Sequence, residues 1–440
     1  MWKTLWILLE EDMYRVKIFL GIFIFIFSFS SNLHAQNLEN TKKRIEILSS
    51  KKFAGRGYVG NAGDLSANFI TDELSKIGLL KFGDSFFQEF YYPVNTFPKK
   101  LLVKIDNKKL TPGVDYLIGP ASPKVKQKYE LWKPDSVLLN DTIGIIKHIS
   151  KNIKLKSSVF VIDYAQTENI DIKKFYISNF VMGNSFFAGI VELIPEELMW
   201  SVSRIQQSYP LVKIKREFFD PNSKTIFIDV KPELNPNFKA KNVVAYIPGE
   251  TDDFVVFTAH YDHLGKMGKK VYMPGAQDNA SGVALLLDLA DYYSKNKPKY
   301  SIAFMFFFGE EAGLLGSLYY VLNPIFELEK IKVLLNIDLA GTGDEGITIV
   351  NAANEKYEKE WNLFQNLNSE NNFFEIMNPR DISANSDHYP FHEMGVRSLF
   401  IYTMGGKTYY HHPKDRLETL TFGGYYQLFG LITKFVENYE

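Results

Sequence analysis

Residues 301–317 read SIAFMFFFGEEAGLLGS: a run of apolar residues over 302–308, one glycine, then Glu310 and Glu311 side by side. A stretch so apolar, rich in Phe and free of charge, predicts a strand buried on both faces in the middle of a mostly parallel sheet. The two acids then stand at its carboxyl end, the edge at which open α/β sheets bind ligands. Adjacent carboxylates beside a dry interior repel each other and need a cation, a proton or water. A solvated turn would also satisfy them, so the rest of the chain has to decide.

Three other apolar stretches end in the same way. DFVVFTAHYDHLG (253–265) runs out at His260 and Asp262, and KVLLNIDLAG (332–341) runs out at Asp338. RSLFIYTMGG (397–406) is followed closely by YYHHPKD (409–415), which carries His411. In PGAQDNASGVALLLDLADYYS (274–294), Val283, Leu286, Leu287 and Ala290 fall on one helical face, and Asn279 or Ser281 is placed to cap the helix. That puts Asp278 at a helix N-terminus on the same side of the sheet as the strand ends.

Taken singly, each fragment has a plain explanation: an Asp after a strand is often a helix cap, and a His near a chain end is usually a surface residue. Together, two histidines and three carboxylates without a thiolate form a set suited to zinc or a similar divalent ion with open positions. Two such cations, set against Asp278, Glu311, Asp338 and one hydroxide, leave roughly no net charge. Glu310 is then spare, held beside the site and available as a general base. Asp262 stands two residues from His260, where it can accept the second imidazole N–H and fix the tautomer.

The remaining composition narrows the class. With 440 residues, 46% of them hydrophobic, the chain can bury a large core and more than one domain. A formal charge of -1, with no block of like charges, gives no electrostatic footprint for nucleic acid. The chain has no cysteine, which excludes disulfides, thiolate metal sites and Cys nucleophiles.

Residues 1–35 read as a signal peptide, with Arg15 and Lys17 before an apolar stretch at 18–29, and with cleavage expected after Ala35. The acids at 10–12 make Met13 a candidate true start. The apolar stretch is short of the about 20 residues that span a bilayer, so export to the periplasm or the exterior, without a stable membrane span, is expected.

Residues 36–97 look helical and loop-like. A helix is expected where Phe69, Leu74, Ile77 and Leu80 recur, ending near Gly78, and Arg56 in FAGRGYVG is expected to brace a loop rather than position a substrate. Residues 98–238 carry short strands such as KLLVKID, SSVFVIDYA, FAGIVELI and KTIFIDV and read as an inserted β-rich module. KPELNPNFKAKN (231–242) reads as its exit linker. From 239 to 440, apolar strands alternate with amphipathic helices, predicting an α/β fold with a mixed, mostly parallel central sheet flanked by helices.

AHYDHLG, GAQDNASG, GEEAGLLGS, NIDLAG, SDHYPF and YHHPKD, in that order, resemble the motifs of the M28 metallopeptidases, co-catalytic zinc aminopeptidases and their relatives. The resemblance covers about residue 242 to the C-terminus; residues 53–64 resemble the family's N-terminal part, and the middle module resembles, more weakly, a protease-associated domain. It implies a zinc aminopeptidase-like fold and a peptide substrate. It also implies two zinc ions, with Co2+ or Mn2+ as alternatives: one held by His260 and Asp338, the other by Glu311 and His411, with Asp278 bridging. Glu310 would be the base, and Asp262 the outer-sphere partner of the His260 ligand.

Two positions depart from the family: Gln277 stands where an acid is common, and His412 follows His411 where Thr is common. A serine triad at Ser386, Asp387 and His388 is rejected, because three consecutive side chains cannot converge as a triad must. His388 is expected to line the pocket instead. The aromatics near the motifs, Tyr402 among them, fit either a substrate pocket or ordinary packing. A glutaminyl cyclase with a single zinc, a carboxypeptidase specificity and a binding ectodomain that lost its metals remain rivals. The intact DNASG and the full set of ligand types argue for the peptidase.

Overall fold

A computed structural model describes residues 38–152, 155, 157–166, 187–407 and 409–440. The expected signal peptide, residues 1–35, lies outside the described residues. The chain divides into two units, Met1–Arg44 and Ile45–Glu440. Of the first, residues 38–44 are described and are helical.

The second unit is built on two eight-stranded sheets. The first contains β1 (Phe87–Thr96), β2 (Glu233–Ile247), β3 (Thr251–His260), β4 (Tyr300–Phe307), β5 (Ile331–Asp338), β6 (Gly346–Val350), β7 (Met377–Arg380) and β8 (Ser398–Met404). Their order across the sheet is β1-β2-β4-β3-β5-β8-β6-β7. The middle four, β4, β3, β5 and β8, are mutually parallel, so their carboxyl ends share one edge. Every residue of β4 is buried, as its unbroken apolar run requires. Among the described residues, the longer helices that accompany the sheet are α1 (Ala62–Ile77), α2 (Ser281–Lys295), α3 (Leu315–Leu322), α4 (Glu358–Asn371) and α5 (Tyr425–Asn438). The α/β expectation holds.

Two local expectations need correcting. The stretch 231–242 is not a linker: most of it lies in β2, which pairs antiparallel with β1. Its Pro236 and the opposing Pro93 coincide with a register shift between Tyr92 and Val94, where a missing N–H costs no ladder bond. Helix α1 forms and ends at Gly78, whose φ of 97° closes the last turn through its N–H to the Leu74 carbonyl. Its buried face, however, is Ala62, Ser66, Ala67, Ile70 and Leu74, while Leu80 is 45% exposed. Ser66 can be buried because its hydroxyl donates to the Ala62 carbonyl.

All strands of the second sheet lie between Leu102 and Val230, and its centre is a parallel run of Val125–Trp132, Val159–Asp163, Gly189–Ile194 and Leu211–Lys215. Its core also takes in Leu264, Met267, Val271 and Met273, from the chain that follows β3. The two sheets are thus tied together immediately beside the site. Among the described residues, no helix is long and apolar enough to cross a membrane.

Candidate metal centre

The shared edge of β4, β3 and β5 gathers the residues singled out by sequence. His260 ends β3 and Asp338 ends β5, while Glu310 and Glu311 follow β4 after Phe308 and Gly309. Asp278 comes from the turn before α2, where Asn279 Oδ1 accepts the Gly282 N–H although the N-cap position is Ala280, and the Asp278–Asn279 peptide is cis. His411 enters from the loop after β8.

Asp278 lies at the middle of the cluster. Its Oδ1 is 3.2 Å from His260 Nε2, and its Oδ2 is 3.2 Å from His411 Nε2. On one side, His260 Nε2 also stands 3.3 Å from Asp338 Oδ2; on the other, His411 Nε2 stands 3.1 Å from Glu311 Oε2. One carboxylate therefore faces two imidazole–carboxylate pairs, one through each oxygen.

His263 was not singled out by sequence, yet its Nδ1 lies 2.6 Å from Glu311 Oε1. The groups His260–Asp278–Asp338 and His263–Asp278–Glu311 each bring candidate ligand atoms within 4.8 Å of one another. The second group thus has two imidazoles available where one was expected. The signal for His263 was its place in AHYDHLG, one residue beyond Asp262.

Asp262 departs from the expected geometry. His260 Nδ1 lies 3.2 Å from the main-chain carbonyl of Asp262 and 3.6 Å from its carboxylate, so the carbonyl is the acceptor that sets the tautomer. The Asp262 carboxylate instead accepts the Tyr58 hydroxyl at 2.8 Å and the amides of Glu310 at 3.2 Å and Glu311 at 3.4 Å. It orients the glutamate pair.

His388 is also corrected. It has no exposed surface, its ring packs 5.3 Å from Phe400, and burial drives its pKa down to about 3, which makes it a neutral core residue and not a pocket wall. Tyr402 pairs with Asp338 in strand register, is only partly buried and accepts Arg380 Nη1 through its hydroxyl at 3.1 Å. Tyr410 stacks on the His411 ring at 3.8 Å.

Arg56 is the expected brace. The fully buried guanidinium donates to the carbonyls of Tyr261, Leu48, Pro274, Gly275 and Asp278. Its glycine-rich loop passes so close to the turn after β3 that a Cβ on Gly57 would lie 2.3 Å from the Gly265 Cα. From the other side, Asp415 accepts the amides of Gln277 and Asp278. The Asp278 turn is thus held by a buried cation on its carbonyls and a buried anion on its amides. Arg56→Ala is expected to destabilise the fold by about 3 kcal/mol or more, because several buried carbonyls lose their donor at once. Arg56→Lys should recover only part of this, since it keeps the charge but not the fork. Chemical denaturation measures both, and a loss below about 1 kcal/mol for Arg56→Ala would contradict the brace.

The donor set fits a divalent metal: imidazoles and carboxylates without sulfur, with Asp338 Oδ1 buried and lacking a hydrogen-bond partner among the described residues. The acids also draw positive charge. Burial alone would lower the His411 pKa, but Glu311 and Asp278 outweigh it and hold it up at about 11. Since the folded value lies above the unfolded one, this group stabilises the metal-free chain fully below about pH 6.5. The contribution drains away as pH climbs toward 11. Melting in chelator should therefore fall as pH rises from 6.5 to 10, and zinc should flatten the slope by replacing the proton; a rising profile in chelator would contradict this.

The parallel strand ends of an α/β sheet thus converge on a His/carboxylate cluster suited to a divalent metal. The chain aligns with a zinc aminopeptidase structure from Bacillus subtilis at a TM-score of 0.67 and 20% identity, over 90% of this chain and 94% of that one. The fold is therefore that of the zinc aminopeptidases. Residues 242–436 match the model of peptidase family M28. Aminopeptidase YwaD of Bacillus subtilis is 29% identical over 223 residues, 48% of this chain and 47% of its own length. A probable leucine aminopeptidase of Trichophyton verrucosum is 31% identical over 211 residues, 42% of this chain and 52% of its own. The chain matches about half the length of these curated relatives.

Proposed function

We propose that the protein is an exported, zinc-dependent exopeptidase, an aminopeptidase that removes N-terminal residues from peptides. The observation that carries the reading is Asp278, whose two oxygens face separate His/carboxylate pairs while the buried Glu310 interacts with His260, Glu311 and Asp338 of the same cluster. In this reading His260 and Asp338 hold one zinc ion, Glu311 and His411 the other, and Asp278 serves both. Zinc at such a site supplies a Lewis acid for the scissile carbonyl and acidifies water.

Glu310 moves the proton. Burial raises its carboxyl well above the usual range; His260 opposes that shift, and the charges of Glu311, Asp387 and Asp338 add to it. Asp262 aims it by accepting its amide. Glu310 takes the proton from water and delivers it to the leaving amine. Relatives named as aminopeptidases support cleavage from the amino end.

Residues 1–35 direct export, so the mature protein is expected to begin at Gln36. Mass spectrometry of the exported chain tests this, and a product that keeps the apolar stretch would contradict it. Activity is tested on an aminoacyl p-nitroanilide and its N-acetylated form. Chelator-sensitive hydrolysis of the free-amine substrate alone is expected; equal cleavage of both would remove the exopeptidase reading.

A further inference from the structure

Residues 195–210 link two parallel strands of the second sheet, Gly189–Ile194 and Leu211–Lys215, without helix or extended strand of their own. A connection of that length inside a compact unit usually carries a task. Trp200 is its buried point, 5% exposed and packed in the second sheet's core. Its indole N–H donates to the Ile118 carbonyl at 2.8 Å, and its ring meets Phe97 edge-on at 6.0 Å. Three residues on, the Ser203 carbonyl accepts the Asn95 amide at the end of β1. The segment is thus pinned to both sheets.

Trp200 also grips His411 at two points. The Trp200 main-chain N–H donates to the His411 carbonyl at 3.1 Å, and His411 Nδ1 lies 3.0 Å from the Trp200 carbonyl, so the buried indole acts by fixing the main chain that makes both contacts. A carbonyl only accepts, so Nδ1 must carry the proton and Nε2 is the nitrogen turned toward Asp278 and Glu311. The grip also holds a backbone that His adopts at a cost, with φ of 54° at His411.

We propose that the 195–210 segment of the second sheet is a positioning element for the metal site, with Trp200 its positioning residue: it sets the tautomer and placement of His411. The state of the second sheet thereby sets metal affinity at the His411 half of the centre. This rests on the reading of His411 as a ligand. A peptide docking on the segment, or a cut within it, would then act on metal occupancy without touching the other half of the site.

The test uses the full chain, with zinc affinity measured by competition against a chromogenic chelator. His411→Ala comes first: loss of one zinc equivalent is expected, and retention of both would overturn the ligand reading itself. With one equivalent lost there, Trp200→Ala should weaken one equivalent by about 10–100-fold, leave the other unchanged and regain activity in excess zinc. Trp200→Phe, which keeps the packing, should recover most of the affinity. A merely structural Trp200 would lower the melting temperature of chelated and zinc-loaded protein alike with both affinities as in the wild type, and that result overturns the positioning role alone.

If Trp200→Ala does not fold, the wild-type protein decides. Nitrogen NMR of labelled histidine in the zinc-loaded chain, with His411 assigned by its absence from His411→Gln, should show Nδ1 protonated and Nε2 coordinated. Coordination through Nδ1 would overturn the proposal.

Discussion

Glu310→Gln is expected to keep the fold and the bound zinc while losing about two to four orders of magnitude in kcat, the range general-base catalysis contributes. The amide is nearly isosteric and leaves the amide–Asp262 contact in place, so binding and geometry should survive while the proton carrier is gone. The loss should appear in kcat and kcat/KM together, because a proton transferred only in the transition state adds nothing to ground-state binding. Zinc content and steady-state kinetics on one preparation check both halves. A variant within tenfold of wild type would assign proton transfer elsewhere.

Asp278→Ala should act through the metal itself. Its oxygens face His260 on one side and His411 on the other, so removing it opens both halves of the cluster at once. It also leaves the buried Arg56 without its largest compensating charge. Zinc content after gel filtration is expected to fall from two equivalents to less than one, with activity at background. Two equivalents retained would remove Asp278 from the centre of the site. Asp278→Asn, which keeps the shape, should lose less stability than Asp278→Ala and nearly as much metal.

Much of this centre was legible because strand chemistry is local. An apolar run that ends in Glu310 and Glu311, or in His260, states in its own residues that it is buried and which end carries the charge. Parallel pairing of β4, β3 and β5 then brings those ends together. What stayed hidden was non-local or main-chain. The acceptor for His260 is a carbonyl, which every residue possesses, and Trp200 meets His411 across 211 positions.

Proline and face offsets account for the other misreadings. Two prolines and an Asn-Pro in 231–242 suggested a linker, but Pro236 falls, opposite Pro93, where β1 and β2 slip register, and Pro232 lies just before β2. Around α1, the large side chains Phe69 and, beyond its end, Leu80 suggested the packed face, whereas small Ser66 and Ala67 lie on it. His388 was placed at the pocket for its motif, although a histidine with an apolar neighbour on its face can equally be core.

Mass spectrometry of a mixed peptide pool, which includes peptides that begin with Gln, tests the central claim most directly. The mature protein is loaded with zinc and incubated with the pool, with and without chelator. Successive loss of whole residues from the amino end, abolished by chelator, is the predicted result. Loss of ammonia from Gln-initiated peptides alone, loss of residues from the carboxyl end, or an unchanged pool would each contradict it.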